Sequence, residues 1–266
     1  LFHRRFPSPA LAALVLVVAL GGCRSNRDRD AMLGAPDLLY DRANELLDNR
    51  DYDAAVKVYE ALEARFPFSP QARQGKLDLM YAYYKGREPE SAVDAAEQFM
   101  RENPTHPRVD YALYIKGLVY FERMANFLER WLDADLSERP PRDARKSFQA
   151  FQELIERFPE SLYGPDSRQR LVYLRNRLAD YEVHVAEHYL RRGAWVAALN
   201  RAKFCVENYD GAPATREAVA IQIAAYDKLG LTDLATQMRS VYELNYAGQR
   251  PDAGAGGKKR WWKFWS

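Results

Sequence analysis

The sequence predicts an all-α solenoid of stacked helix pairs, and three observations carry that expectation. Between Asp37 and Tyr246 the apolar residues keep helical spacing. Ala55, Val58, Tyr59, Leu62 and Phe66 stand at i, i+3, i+4, i+7 and i+11, one stripe of a 3.6-residue helix. The stripe returns after 37 residues, where Ala92 replaces Ala55, Phe99 replaces Leu62 and Pro104 replaces Pro67. No segment alternates apolar and polar residues between turn signals as a strand would.

Composition bounds the classes open to such a chain. Its 266 residues are 47% hydrophobic and 29% charged, enough to bury a core and too apolar for a disordered protein. Lys plus Arg number 39 against 37 for Asp plus Glu, and a net charge of +2 excludes a whole-protein basic field for nucleic acid. Two cysteines, Cys23 and Cys205, are too few for a disulfide scaffold. After residue 23 no apolar run approaches the ~18 residues of a membrane-spanning helix.

Taken in order, the chain opens with an address. His3, Arg4 and Arg5 make a positive start, Ala10 to Leu20 is an apolar run, and Leu20-Gly21-Gly22-Cys23 closes it. A short apolar core with small residues before the break predicts a secretory signal over 1–22. The Cys after two glycines resembles a bacterial lipobox, with the Cys23 thiol as nucleophile for a diacylglyceryl group, and acyl chains anchor at ~0.8 kcal/mol per buried CH₂. No Asp follows Cys23, so an outer-membrane destination on the periplasmic face is expected, with lipid contact through Cys23. The first residue is Leu1 rather than Met, as an alternative start codon or a clipped residue would leave it. Residues 23–36 read as the lipidated Cys and a flexible polar tether.

The body then divides into five units. Asp51-Tyr52-Asp53-Ala54-Ala55, followed by Tyr59, Leu62 and Pro67, has the spacing of the second helix of a tetratricopeptide unit. The expected units are 37–67, 72–104, 108–159, 164–210 and 213–246. First helices supply small residues at close contacts, Ala43, Gly117 and Ala186, because paired helices approach only where a side chain is a methyl or a hydrogen. The third unit is interrupted by 126–142, with Trp131, Leu132 and Pro140-Pro141, before a second helix carrying Phe148, Phe151, Leu154 and Phe158. Asp166 to Arg192 lacks Gly and Pro and predicts one long helix, and Asp210 stands where the turn proline would be. Such a solenoid has a concave groove lined by first helices that takes extended peptides or partner domains.

The catalytic patterns in the chain have simpler explanations within this scaffold. His184-Val185-Ala186-Glu187-His188 matches the H-x-x-E-H of one zinc-hydrolase class, but a catalytic zinc needs a third ligand and Ala186 is explained by the repeat. Cys205 occupies a repeat core position and reads as a buried thiol. Asp51 and Asp53 fall at a helix start, where capping accounts for them. No phosphate loop, dinucleotide loop or nucleophile elbow is present, so neither an enzyme nor a cofactor is expected, and no metal.

Specific strings narrow the scaffold. Arg65-Phe66-Pro67-Phe68-Ser69-Pro70, Leu77-Asp78-Leu79-Met80-Tyr81-Ala82-Tyr83-Tyr84-Lys85 and Asn103-Pro104-Thr105-His106-Pro107 resemble the BamD family, lipoproteins of the outer-membrane β-barrel assembly machinery. Arg170-Leu171-Val172, Leu178-Ala179-Asp180-Tyr181-Glu182 and Arg192-Gly193-Ala194-Trp195-Val196-Ala197 continue the match over about 37–246. The resemblance implies a substrate-receptor half, 37–107, for targeting segments of unfolded outer-membrane protein precursors. It implies a second half, 108–246, that docks on the periplasmic domains of BamA and on other Bam lipoproteins. An aromatic, extended guest wants an aromatic wall, which Phe66, Phe68, Tyr81 and Tyr84 could supply, while Tyr83 sits at a repeat core position. Arg192 and Arg201 match the family's basic residues facing BamA, where a guanidinium fork suits a carboxylate.

The tail departs from that pattern. Residues 247–266 form a Pro/Gly/Ala linker followed by Lys258-Lys259-Arg260-Trp261-Trp262-Lys263-Phe264-Trp265. Trp261, Trp262 and Trp265 among Lys and Arg favour a lipid headgroup zone or an anionic partner. The competing reading for the whole chain is a periplasmic solenoid lipoprotein serving peptidoglycan or envelope maintenance.

Overall fold

The computed structural model describes residues 35–124 and 140–246. The expectations on the signal, on Cys23, on Trp131 and Leu132, and on Trp261, Trp262 and Trp265 therefore lie outside the described residues. Within them the chain forms α1 (Pro36–Asp48), α2 (Tyr52–Arg65), α3 (Pro70–Lys85), α4 (Pro89–Glu102), α5 (Val109–Met124), α6 (Arg142–Arg157), α7 (Gly164–Arg191), α8 (Trp195–Asn208), α9 (Thr215–Lys228) and α10 (Thr232–Tyr246). These make five consecutive pairs, and no strand occurs among the described residues. The long helix is α7, with 28 residues. It starts ahead of Asp166 because Pro165 falls in its first turn, where a missing N–H costs nothing. No described helix is long and apolar enough to cross a membrane.

Turns repeat as faithfully as helices do. Between the helices of a pair, the N–H of Asp51, Glu88, Ala194 and Leu231 donates to the carbonyl five residues back, Leu46, Tyr83, Tyr189 and Tyr226, at 2.9–3.0 Å. That bond closes the helix only if the residue before it turns left-handed. Gly193 (φ 75°) and Gly230 (φ 72°) do so without strain, whereas Arg50 (φ 61°) and Arg87 (φ 63°) carry a Cβ into the same conformation. Replacing Arg50 or Arg87 by Gly is expected to stabilise the chain by about 0.5–1 kcal/mol each, read as a higher urea midpoint.

Between pairs, Phe66, Asn103 and Tyr209 end α2, α4 and α8 with φ near −130° and ψ of 45–59°. Ser69, His106, Ser161 and Ala212 then donate back to Phe66, Asn103, Phe158 and Tyr209. Pro67, Pro104 and Pro159 pre-set this turn by excluding the helical region for the preceding residue. Tyr209 adopts it before Asp210, with Gly211 at φ 72° and Asn208 bonded to the Phe204 carbonyl.

The described chain packs as two compact units. The first comprises 35–124 with 149–168, the second 140–148 with 169–246. In the first unit α3 packs on α1 and on α5 as well as on its chain neighbours, so the first helices form a layer. One core cluster holds Leu39, Ala43, Ala55, Tyr59 and Leu62, and another holds Leu77, Met80, Ala92, Phe99, Val109, Leu113 and Leu154. The second cluster draws residues from both sides of position 107/108. Gly117 is the closest approach: a Cβ on it would lie 2.5 Å from Phe151 Cε1.

In the second unit a carboxylate sits inside the repeat. Glu182 of α7 is 0% exposed and is held by Arg145 of α6 at 2.7 Å and by Arg201 of α8 at 3.0 Å. Cys205 is free, buried, and 3.7 Å from the Ala179 carbonyl. Loss of hydration, reinforced by Glu182, pushes its thiol up to about 12, which makes it inert as expected.

Candidate functional site

The layer of first helices in the first unit carries an aromatic and charged face. Along α3, Gln71, Gln74, Asp78, Tyr81 and Lys85 recur at three- and four-residue spacing, so they share one stripe. Asp78 is the anchor of its middle. Its Oδ2 accepts from the Tyr40 hydroxyl of α1 at 2.9 Å, and Gln74 donates to it from one turn earlier. Burial raises the Asp78 pKa above the usual carboxylate range, with the Tyr40 and Gln74 hydrogen bonds and Arg108 working against that shift. Arg108, just ahead of α5, stacks its guanidinium 5.1 Å from the Tyr111 ring and donates to the Tyr163 hydroxyl at 3.1 Å. Tyr163 stacks on Tyr114, centroids 4.5 Å apart, and Tyr114 donates to Asp166 at 2.9 Å.

Toward the end of α3 the stripe becomes an aromatic pair under a cation. Tyr81 and Tyr84 lie 6.5 Å apart, and Lys85 Nζ stands 5.6 Å and 5.0 Å from their centroids. Tyr84 donates to Glu122 of α5, which braces α3 against the next first helix. Such an arrangement offers ring faces, hydroxyls and one ammonium to an extended apolar guest.

The four aromatic candidates do not converge. Tyr81 and Tyr84 are neighbours and half-buried. Phe66 ends α2, half-buried, and packs against the core around Leu62. Phe68 is 94% exposed in the α2–α3 turn. At the opposite end of α3 from Tyr84, it is separated from it by about 20 Å of helix rise. Tyr83 packs against both cores and donates to Glu60 at 2.5 Å.

Arg192 and Arg201 lie in the second unit. Arg192 is exposed at the α7–α8 turn, beside an open apolar hollow of about 520 Å³ lined by Gly193, Trp195, Val196, Asn200 and Leu229. Arg201 is half-exposed, with one nitrogen committed to Glu182. Asp78, Arg108, Tyr163 and Glu182 carry much of this electrostatics and were not singled out from sequence. His184 is half-buried and His188 exposed, and the described residues contain no group of three or more His, Cys, Asp or Glu that could hold a metal.

The YfiO model, described as outer membrane lipoprotein, matches residues 34–241. The outer membrane protein assembly factor BamD of Neisseria meningitidis is 40% identical, over 96% of this chain and 98% of that protein. The same factor from Vibrio cholerae is 36% identical over 88% and 97%, and that from Haemophilus influenzae 31% over 91% of each. A MamA crystal structure covers 79% of this chain and 90% of its own at 18% identity and a TM-score of 0.34. The chain belongs to the YfiO family of outer membrane lipoproteins, together with these BamD proteins.

Proposed function

We propose that this protein is an assembly factor for outer-membrane β-barrel proteins: a scaffold, not a catalyst, that binds targeting segments of unfolded barrel precursors and docks on BamA. The observation that carries the proposal is the full-length likeness to proteins named for outer membrane protein assembly, joined to an aromatic first-helix face. Those names favour assembly over the peptidoglycan-scaffold reading. Cys23 anchors the chain by lipid to the periplasmic face of the outer membrane.

Tyr81 and Tyr84, with Lys85 over their rings, take the aromatic part of a precursor, and Asp78 with Arg108 binds its polar backbone and side chains. Arg192 and the apolar hollow at Trp195 form the docking surface for BamA, with other Bam lipoproteins nearby. Half of Arg201 is turned to Glu182, so its contribution to docking is inseparable from holding α7 to α8.

Tyr81→Ala with Tyr84→Ala is expected to weaken binding of a C-terminal precursor peptide at least tenfold, the equivalent of losing about 1.4 kcal/mol. Fluorescence anisotropy of the labelled peptide checks it, with circular dichroism confirming unchanged helix content. Binding within twofold of wild type contradicts the receptor assignment.

A further inference from the structure

Among the described residues of the first unit, three large apolar side chains stand out in water: Leu38 at 58% exposure, Phe68 at 94% and Leu162 at 88%. All three occupy one rim, where first helices begin and second helices end. Leu38 is in the first turn of α1, Phe68 in the α2–α3 turn and Leu162 in the α6–α7 turn. Side chains tie these turns together. Gln71 donates to Asp37 between the starts of α3 and α1. Lys76 reaches Glu102 at the end of α4 at 2.5 Å. Arg157 donates to the Pro104 carbonyl at 3.3 Å, and Arg108 donates to Tyr163 at 3.1 Å.

Arginines stand among these tips. Arg65, Arg73, Arg101, Arg157 and Arg168 are exposed there, interspersed with Asp37, Glu102, Glu156 and Glu160; Arg101 pairs with Glu97, Arg157 with Glu153 and Lys76 with Glu102. The opposite edge differs, presenting Asp48, Asn49, Arg50, Asp51, Arg87 and Glu88 at its turns with no exposed large apolar side chain among the described residues. Isolated apolar tips interspersed with guanidinium groups suit a lipid interface, where the tips enter the acyl boundary and the cations meet phosphates.

The path of the chain selects a membrane over a protein partner. The tether enters the fold at Ala35–Pro36, on this same rim, and only the 12 residues Arg24 to Ala35 separate it from Cys23. Fully extended, they reach at most about 40 Å. An anchor at Cys23 therefore holds this rim, before any other part of the first unit, close to the leaflet.

We propose that the rim formed by Leu38, Phe68 and Leu162 rests on an anionic phospholipid surface, as a second membrane contact beside the lipid anchor. The proposal rests on the reading of Cys23 as lipidated. Its consequence for the receptor face is geometric: Tyr81 and Tyr84, far along α3, stand about 15–20 Å from the lipid.

The test uses the full lipidated chain in vesicles of phosphatidylethanolamine and phosphatidylglycerol. An environment-sensitive label is placed at Leu38→Cys, Phe68→Cys, Leu162→Cys or, on the opposite edge, Asp53→Cys. Cys205, buried and pushed up to about 12, stays unlabelled. Nitroxide lipids are expected to quench the three rim labels roughly threefold more than the label at 53, as insertion by about 5–10 Å requires. Equal quenching at all four positions, or shielding of the rim labels only after BamA is added, would overturn the proposal. Flotation separates the two readings. A lipidated chain that does not float, like its Cys23→Ser variant, removes the anchor and this contact with it. Flotation with unquenched rim labels keeps the anchor and sinks the rim contact.

Discussion

Gly117→Ala lowers the stability of the chain by about 1–2 kcal/mol, although helix propensity alone favours Ala by roughly 0.5–1 kcal/mol. The sign is decided by Phe151, whose ring carbons lie 2.5 and 2.8 Å from where the new methyl would sit. Phe151 is fully buried in the second helix of the interrupted repeat, so it cannot swing into solvent. Gly117→Val costs more, at least about 3 kcal/mol, because the branched side chain must displace the ring. Thermal unfolding checks both, at about 2–4 °C per kcal/mol for a chain of this size. Phe151→Leu in the Gly117→Ala background restores part of the loss, a coupling of about 0.5–3 kcal/mol. Additive effects would mean that the two residues do not share this contact.

Removing both Arg145 and Arg201 destabilises the second unit more than removing Glu182 does. The reason is an asymmetry of hydration. Glu182 is 0% exposed, while Arg145 and Arg201 side chains are 45% and 43% exposed. Without the arginines the carboxylate is left buried and unpaired, which costs on the order of 3–5 kcal/mol. Without the carboxylate each arginine turns to water, and Glu182→Gln costs about 1–2 kcal/mol. Urea midpoints of Glu182→Gln and of Arg145→Met with Arg201→Met compare the two directly. An equal or reversed order would contradict the buried-carboxylate account. Arg201→Glu sets two carboxylates together inside the repeat. Lost copurification with BamA in that variant then reports unfolding as much as docking, and Arg192→Glu is the cleaner test of the interface.

Much of this was legible because repeats reduce many residues to one pattern. The 37-residue spacing located the Pro67 and Pro104 turns between pairs, and the absence of Gly and Pro after Asp166 foretold α7. Gly117 was legible as a close contact from its place in the first helix. Other features were hidden by ordinary residue types in unusual settings. Arg50 and Arg87 occupy left-handed positions that Gly fills at 193 and 230, and an Arg gives no warning of φ > 0. Glu182 resembled one more solvated charge, yet Leu174, Leu178, Glu182, Ala186 and Leu190 form one buried stripe of α7. A helical wheel would have exposed that conflict. Residue type alone cannot separate Tyr81 and Tyr84, neighbours along α3, from Phe66 at the end of α2 or Phe68 on a turn. Only their places in the fold do that.

The central claim is that the first helices of the first unit receive barrel precursors. Photocrosslinking in cells from positions 81 and 84, with positions 57 and 94 on the exposed second helices as controls, tests it most directly. The account predicts crosslinks to unfolded outer-membrane precursors from 81 and 84, competed by a peptide of the precursor's aromatic C-terminus, and none from 57 and 94. Equal yields from all four positions, or precursor crosslinks confined to 57 and 94, would contradict it.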